Sequence, residues 1–86
     1  MDLQTLRQRI DRLDQKLLKL LNARATLALN VGAIKQRTGQ TVYDPARERQ
    51  ILRALGEANT GPLSTKAVHA IYRQILQQVR RLEKSA

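Results

Sequence analysis

A walk from Leu3 in alternating steps of three and four residues meets Leu6, Ile10, Leu13, Leu17, Leu20, Arg24, Leu27, Val31 and Ile34. Nine of these ten positions are aliphatic, and the tenth is an arginine. That is a heptad seam held for nearly five heptads, the pattern of a helix that packs lengthwise on another helix. Asp2 is suited to cap its start and Thr38-Gly39 to end it, so the sequence predicts a helix from about Asp2 to about Arg37. At about 1.5 Å per residue the helix is a rod of roughly 50 Å. A compact chain of 86 residues has a radius of gyration of only about 12 Å. The rest of the chain is too short to cover such a rod, so the seam asks for a partner helix.

Two shorter helices follow. Asp44-Pro45 is a strong start signal, with Asp as N-cap and Pro at the first helical position. That helix carries Ile51, Leu52 and Leu55 and fades by about Asn59; Thr60-Gly61-Pro62 then breaks the chain. Ser64 caps a third helix that continues to about Lys84, with an apolar face of Val68, Ile71, Tyr72, Ile75, Val79 and Leu82. The one β-like run, residues 41 to 43, is too short for a useful strand. The predicted fold is all-α: three helices with a very long first one, one domain over residues 1 to 86, and an intertwined helical homodimer whose shorter helices close over the partner. A plain two-stranded coiled coil is the bland alternative, and the apolar faces of the second and third helices weigh against it.

Composition narrows the chemistry. Without cysteine there is no disulfide framework and no thiolate metal site, and one His excludes a His-rich metal cluster. The charged N-terminal stretch lacks the apolar core of a secretory signal, and no run approaches the ~20 apolar residues of a membrane span. The expectation is a cytoplasmic protein without a membrane partner. The formal net charge is +9, with 11 Arg against 5 Lys, which suits an anionic partner. Two tyrosines and no Phe or Trp are poor provision for stacking single-stranded nucleic acid. Arginine excess favours a planar, bidentate reader of carboxylate or phosphate.

The position of the cations sharpens that reading. Arg24 and Lys35 are eleven residues apart, about 20° past three full turns, so they share a face. Arg47 lies one turn before Ile51 and leans toward the packed face of the second helix. A buried, unpaired cation is costly, so an inward cluster with few acids must touch water or take up an anion. A small polyanion held inside a helical bundle fits this pattern. Each residue also has a plainer reading. Arg24 can set heptad register, and Lys35 and Glu48 can answer helix dipoles. Arg7 can pair with Asp11, Arg47 with Asp44, and Glu83 can be a solvated acid.

The block VGAIKQRTGQTVYDPARERQIL, residues 31 to 52, resembles the signature of the all-helical chorismate mutases. LRQRIDRLDQKLLKLLNAR, residues 6 to 24, is similar to their first helix, and IYRQILQQVRRLE, residues 71 to 83, to their third. The resemblance spans nearly the whole chain. It is strongest to the form found as the N-terminal domain of bifunctional prephenate dehydratases. It implies an intertwined dimer with two active sites. It also implies an isomerase that rearranges chorismate to prephenate, in the shikimate pathway to Phe and Tyr, without cofactor or metal. The substrate is a dianion, held in its reactive shape while negative charge grows on its ether oxygen.

Position by position, Arg24 and Arg7 resemble the two carboxylate-binding arginines, with Arg7 supplied in trans by the other subunit. The two are seventeen residues apart, about 100° off a common face, so one helix can hardly aim both at one ligand. Lys35 resembles the lysine on the ether oxygen and a carboxylate. Asp44, through its backbone, and Glu48, through its side chain, resemble the holders of the ring hydroxyl, and Arg47 the arginine that orders the pocket beside them. Glu83 stands where the family has Gln or Glu donating to the ether oxygen, so it must be protonated there. Val79 stands where a family serine can contact the ring carboxylate; the valine can only be pocket wall. The resemblance thus names a chorismate-binding homodimer with catalytic Arg7, Arg24, Lys35 and Glu83 and with no nucleic-acid partner. Two alternatives stay open at this stage: an isochorismate-pyruvate lyase on the same scaffold, and a basic coiled-coil module that binds nucleic acid.

Overall fold

The computed structural model describes residues 1 to 85 and consists of three helices in order: α1 (Leu3–Thr38), α2 (Pro45–Ala58) and α3 (Thr65–Lys84). Each start follows from its cap. Asp2, Asp44 and Ser64 accept hydrogen bonds from the backbone N–H groups of Thr5, Arg47 and Ala67 respectively, each three residues on. The Thr5 N–H also holds the exposed Asp2 carboxyl below its ordinary value of 3.8. At the other end of α1, Gly39 adopts φ 72°, a left-handed conformation that glycine enters without steric cost. Its N–H and that of Gln40 cap the free carbonyls of Gln36 and Lys35. Asn59 organises the second turn, donating to the Leu63 carbonyl at 2.8 Å and accepting from the Gly61 N–H at 3.0 Å.

The molecule measures 54 × 24 × 15 Å with a radius of gyration of 15.8 Å, well above the ~12 Å of a compact chain this long. α3 is the organising element. It packs on the C-terminal half of α1 and on α2, whereas α1 and α2 do not pack on each other. Against α1 the fit depends on small residues. Ala28 and Gly32 are buried, and a Cβ on Gly32 would lie 2.7 Å from the Glu83 carbonyl oxygen. Only glycine lets the end of α3 settle that close. Against α2, the His69 Nε2 lies 2.8 Å from the Leu52 carbonyl, and Gly56 admits Thr65 and His69.

The heptad seam plays no part in this packing. All nine of its aliphatic residues, from Leu3 to Ile34, are exposed in the single chain. A contiguous apolar stripe of that length marks an interaction surface. α1 also contains one 18-residue window of mean hydropathy 1.2, long and apolar enough by composition to cross a bilayer, contrary to the sequence expectation that no run approaches a span. The apolar character of α1 comes from that seam together with Leu18, Leu21, Ala25 and Ala28 on the side that faces α3.

The third helix departs from expectation too. Leu76, absent from its expected apolar face, is its most buried residue at 5%, whereas Ile71 is 51% exposed. The face is divided between two tasks. Leu76 fills the chain's own core. Ile75, Val79 and Leu82 instead line an open apolar groove with Leu18, Leu21 and Ala25.

Candidate active site

All three helices contribute to one cleft of about 280 Å³. α1 supplies Arg24, Leu27, Ala28, Val31 and Lys35; the α1–α2 turn and α2 supply Val42, Asp44, Arg47, Glu48 and Ile51; α3 supplies Leu76, Val79, Arg80 and Glu83. Seven of the eight residues singled out in the sequence therefore meet here. Arg24 and Lys35 both lie on the cleft side of α1, as a small step past three turns requires. Arg24 sits at the border between the leucine seam and the small-residue stripe, its guanidinium 5.9 Å from the Tyr72 ring centroid, within cation–π range.

Lys35 and Glu83 are largely enclosed, with side chains 16% and 13% exposed. The Lys35 ammonium donates to the Val42 carbonyl at 3.0 Å, a contact made possible by the turn that Gly39 begins. It lies 4.0 Å from Glu83 Oε2. That oxygen is buried and has no hydrogen-bond partner, an arrangement native structures rarely leave unexplained. Glu83 is thus no ordinary solvated acid.

Other plain readings also fail. Arg47 does not pair with Asp44 through its guanidinium, which donates to Gln50 Oε1 at 2.8 Å; only its backbone N–H reaches the Asp44 carboxylate. Nor is it packed inward, being exposed on the cleft rim. Glu48 does more than answer a dipole: both its oxygens accept from Arg80 Nη1, at 3.0 and 2.9 Å. Among the described residues the ion pairs are Lys35–Glu83 and Arg80–Glu48, so Arg24 and Arg47 are committed to no carboxylate, and Arg7 does not pair with Asp11. The cleft is lined by four cations and three carboxylates, an excess of positive charge suited to an anion. No group of three or more His, Cys, Asp or Glu among the described residues could hold a metal ion.

Arg7 stands apart. It lies with Leu3, Gln4, Gln8 and Asp11 around a separate depression near the start of α1. The seventeen residues from Arg7 to Arg24 span roughly 25 Å of helix, so within one chain Arg7 is remote from the cleft.

The sequence reading missed Gly32, Leu76 and Arg80. A signal existed for two of them. Leu76 and Arg80 are one turn apart, and Arg80 is one turn before Glu83, which places all three on one face of α3. Nothing local announces that Glu48 and Arg80, 32 residues apart, form a pair.

The family model for chorismate mutase type II matches residues 6–84. A bifunctional chorismate mutase/prephenate dehydratase from Aquifex aeolicus is 40% identical over 87 residues, which is 96% of this chain and 24% of that protein. The chain thus spans about a quarter of the length of the bifunctional relatives it matches. Among solved structures, a chorismate mutase from Thermus thermophilus superposes with a TM-score of 0.93 at 31% identity, covering 94% of this chain and 92% of that one. A Helicobacter pylori chorismate mutase in complex with prephenate superposes with a TM-score of 0.89 at 31% identity, covering 96% and 90%.

Proposed function

This chain belongs to the chorismate mutase type II family, and we propose that it rearranges chorismate to prephenate in its three-helix cleft. The observation that carries the reading is the convergence of Arg24, Lys35, Glu48 and Glu83, from three separate helices, on one cationic cavity. An intramolecular pericyclic rearrangement needs no nucleophile and no general base. It needs the flexible dianion clamped in its reactive shape and fixed donors where charge develops on the ether oxygen.

The residues divide that work. Arg24, free of any carboxylate partner, takes a substrate carboxylate through its planar fork. Lys35, held by the Val42 carbonyl, presents its remaining donors to the ether oxygen and a carboxylate. Glu83, in its protonated form, donates to the same oxygen, which uses the buried Oε2 that has no partner in the chain. Glu48 holds the ring hydroxyl with its side chain and Asp44 with its backbone. Arg47 lines the rim, and Val79 is apolar wall.

The second carboxylate requires a second chain. The bare seam of α1 supports a homodimer in which two long helices pack together. An antiparallel-like crossing would bring the Arg7 of one chain to the cleft of the other, over the distance that separates Arg7 from Arg24 within a chain. Each aliphatic side chain fully buried contributes about 1.5–3 kcal/mol, so nine of them favour association strongly. The apolar window in α1 then serves this interface and not a bilayer, which fits a soluble, cytoplasmic enzyme with neither membrane nor nucleic acid as partner.

The deciding experiment follows the loss of chorismate's diene absorbance in the presence of the purified protein. Prephenate formation faster than the spontaneous reaction is the expected result. An unaccelerated rate, or release of pyruvate from isochorismate in its place, would sink this reading.

A further inference from the structure

We propose that Arg80 is a positioning residue of the cleft: it fixes the Glu48 carboxylate for the substrate's ring hydroxyl and cancels its charge, so that a dianion meets a net positive cavity. The inference rests on the reading of the cleft as a chorismate site and extends it to a residue that reading does not use.

Three observations carry it. Arg80 Nη1 bridges both oxygens of Glu48, at 3.0 and 2.9 Å, across the α2–α3 contact. The guanidinium is itself held in place, 4.7 Å from the centroid of the Tyr43 ring, in the turn that leads into α2. Both partners are mostly shielded, with side chains 29% and 21% exposed, and both line the cleft. The pair is therefore no flexible surface contact.

The charge balance gives it a purpose. With Glu83 protonated, as its role in the cleft requires, the lining has four cations to two carboxylates, and loss of Arg80 halves that positive excess. Glu48 would then be an unpaired anion in a cavity built for a dianion, repelling the ligand or turning away from the ring hydroxyl. Arg80 also lines a second groove on the outer side of α2 and α3, together with Tyr43 and Glu48, so it forms the partition between that groove and the site.

The test is a double-mutant cycle in the whole protein, with chorismate turnover and calorimetric binding of prephenate as readouts. Arg80→Met, which keeps length and apolar contact with Tyr43, is expected to raise KM and weaken prephenate binding by about ten- to a hundredfold, with a smaller change in kcat. Arg80→Lys restores most of the affinity, because a point charge can still bridge both oxygens. In a Glu48→Gln background the Arg80→Met penalty shrinks to about threefold or less, because there is no carboxylate charge left to cancel. A merely structural role would lower the thermal midpoint, give the same penalty in both backgrounds and resist rescue by lysine. Unchanged affinity in Arg80→Met, or an equal penalty in both backgrounds, overturns the proposal. If the wild-type protein turns over chorismate, that failure belongs to Arg80 alone; if it does not, the functional reading fails and this inference falls with it.

Discussion

The two halves of α1 are the same helix put to opposite uses. From Leu3 to Leu20 it is bare: its seam faces solvent and its one candidate site residue, Arg7, has nothing of its own chain to work with. From Leu21 onward α3 covers one face, with Ala28 and Gly32 buried and Arg24 and Lys35 turned into the cleft, while the seam stays exposed as far as Ile34. The residue types explain the contrast. The covered half gains its contact from small side chains, which admit another helix closely. The bare seam offers large aliphatic side chains, the kind that interdigitate as knobs in the long helix pairing proposed above. The face that packs within the chain and the apolar face left bare thus lie on different sides of one rod.

Substitutions can break that contrast at either end. The largest effect is expected in the covered half, where Arg24→Ala should lower kcat/KM by about a thousandfold, as loss of a fixed charge-stabilising donor does, while gel filtration still shows a dimer. Loss of the dimer would make Arg24 a register device after all. Next comes Gly32→Ala: its methyl group must displace the Glu83 backbone. Such overpacking should cost about 1–3 kcal/mol of stability in thermal unfolding, and the displaced Glu83 up to about a hundredfold in rate. Unchanged stability and rate would mean that α3 does not sit as close as described.

A third experiment joins the two halves. Arg7→Ala and Arg24→Ala subunits, each inactive alone, should recover about a quarter of wild-type activity when mixed and allowed to exchange, since half the dimers are mixed and each has one intact site. No recovery despite exchange seen by mass spectrometry would remove Arg7 from the partner's site. The smallest effect is expected of Glu83→Gln, which keeps a side-chain donor toward the ether oxygen and should leave kcat/KM within about threefold of wild type, whereas Glu83→Ala removes that donor and should lower it by about a hundredfold. Equal rates for the two variants would exclude the role.

Much of this was legible in the chain. Helix ends came out within a residue or so, because Asp2, Asp44, Ser64 and Gly39 act through bonds three or four residues long. The common face of Arg24 and Lys35 followed from helical geometry, and the resemblance of residues 31 to 52 and 71 to 83 pointed to the other cleft residues. Leu76 was overlooked because an amphipathic face shows only the average direction of apolar residues, and α3 divides that face between its own core and an open groove. Arg47 was expected inward and sits on the rim, since one turn from Ile51 fixes a direction but no depth.

By itself, then, the sequence determined three helices, their ends, a seam that one chain cannot bury and a set of inward cations. These depend on local hydrogen bonds and on the 3.6-residue period, which act within a few turns. Only the tertiary structure decided that Gly32 brings the end of α3 against α1, that Glu83 Oε2 is buried beside Lys35 without a partner, and that Arg80 meets Glu48 across two helices. Those contacts depend on how far apart the helices pack and how they are rotated, and side-chain volumes set both only after the helices have met.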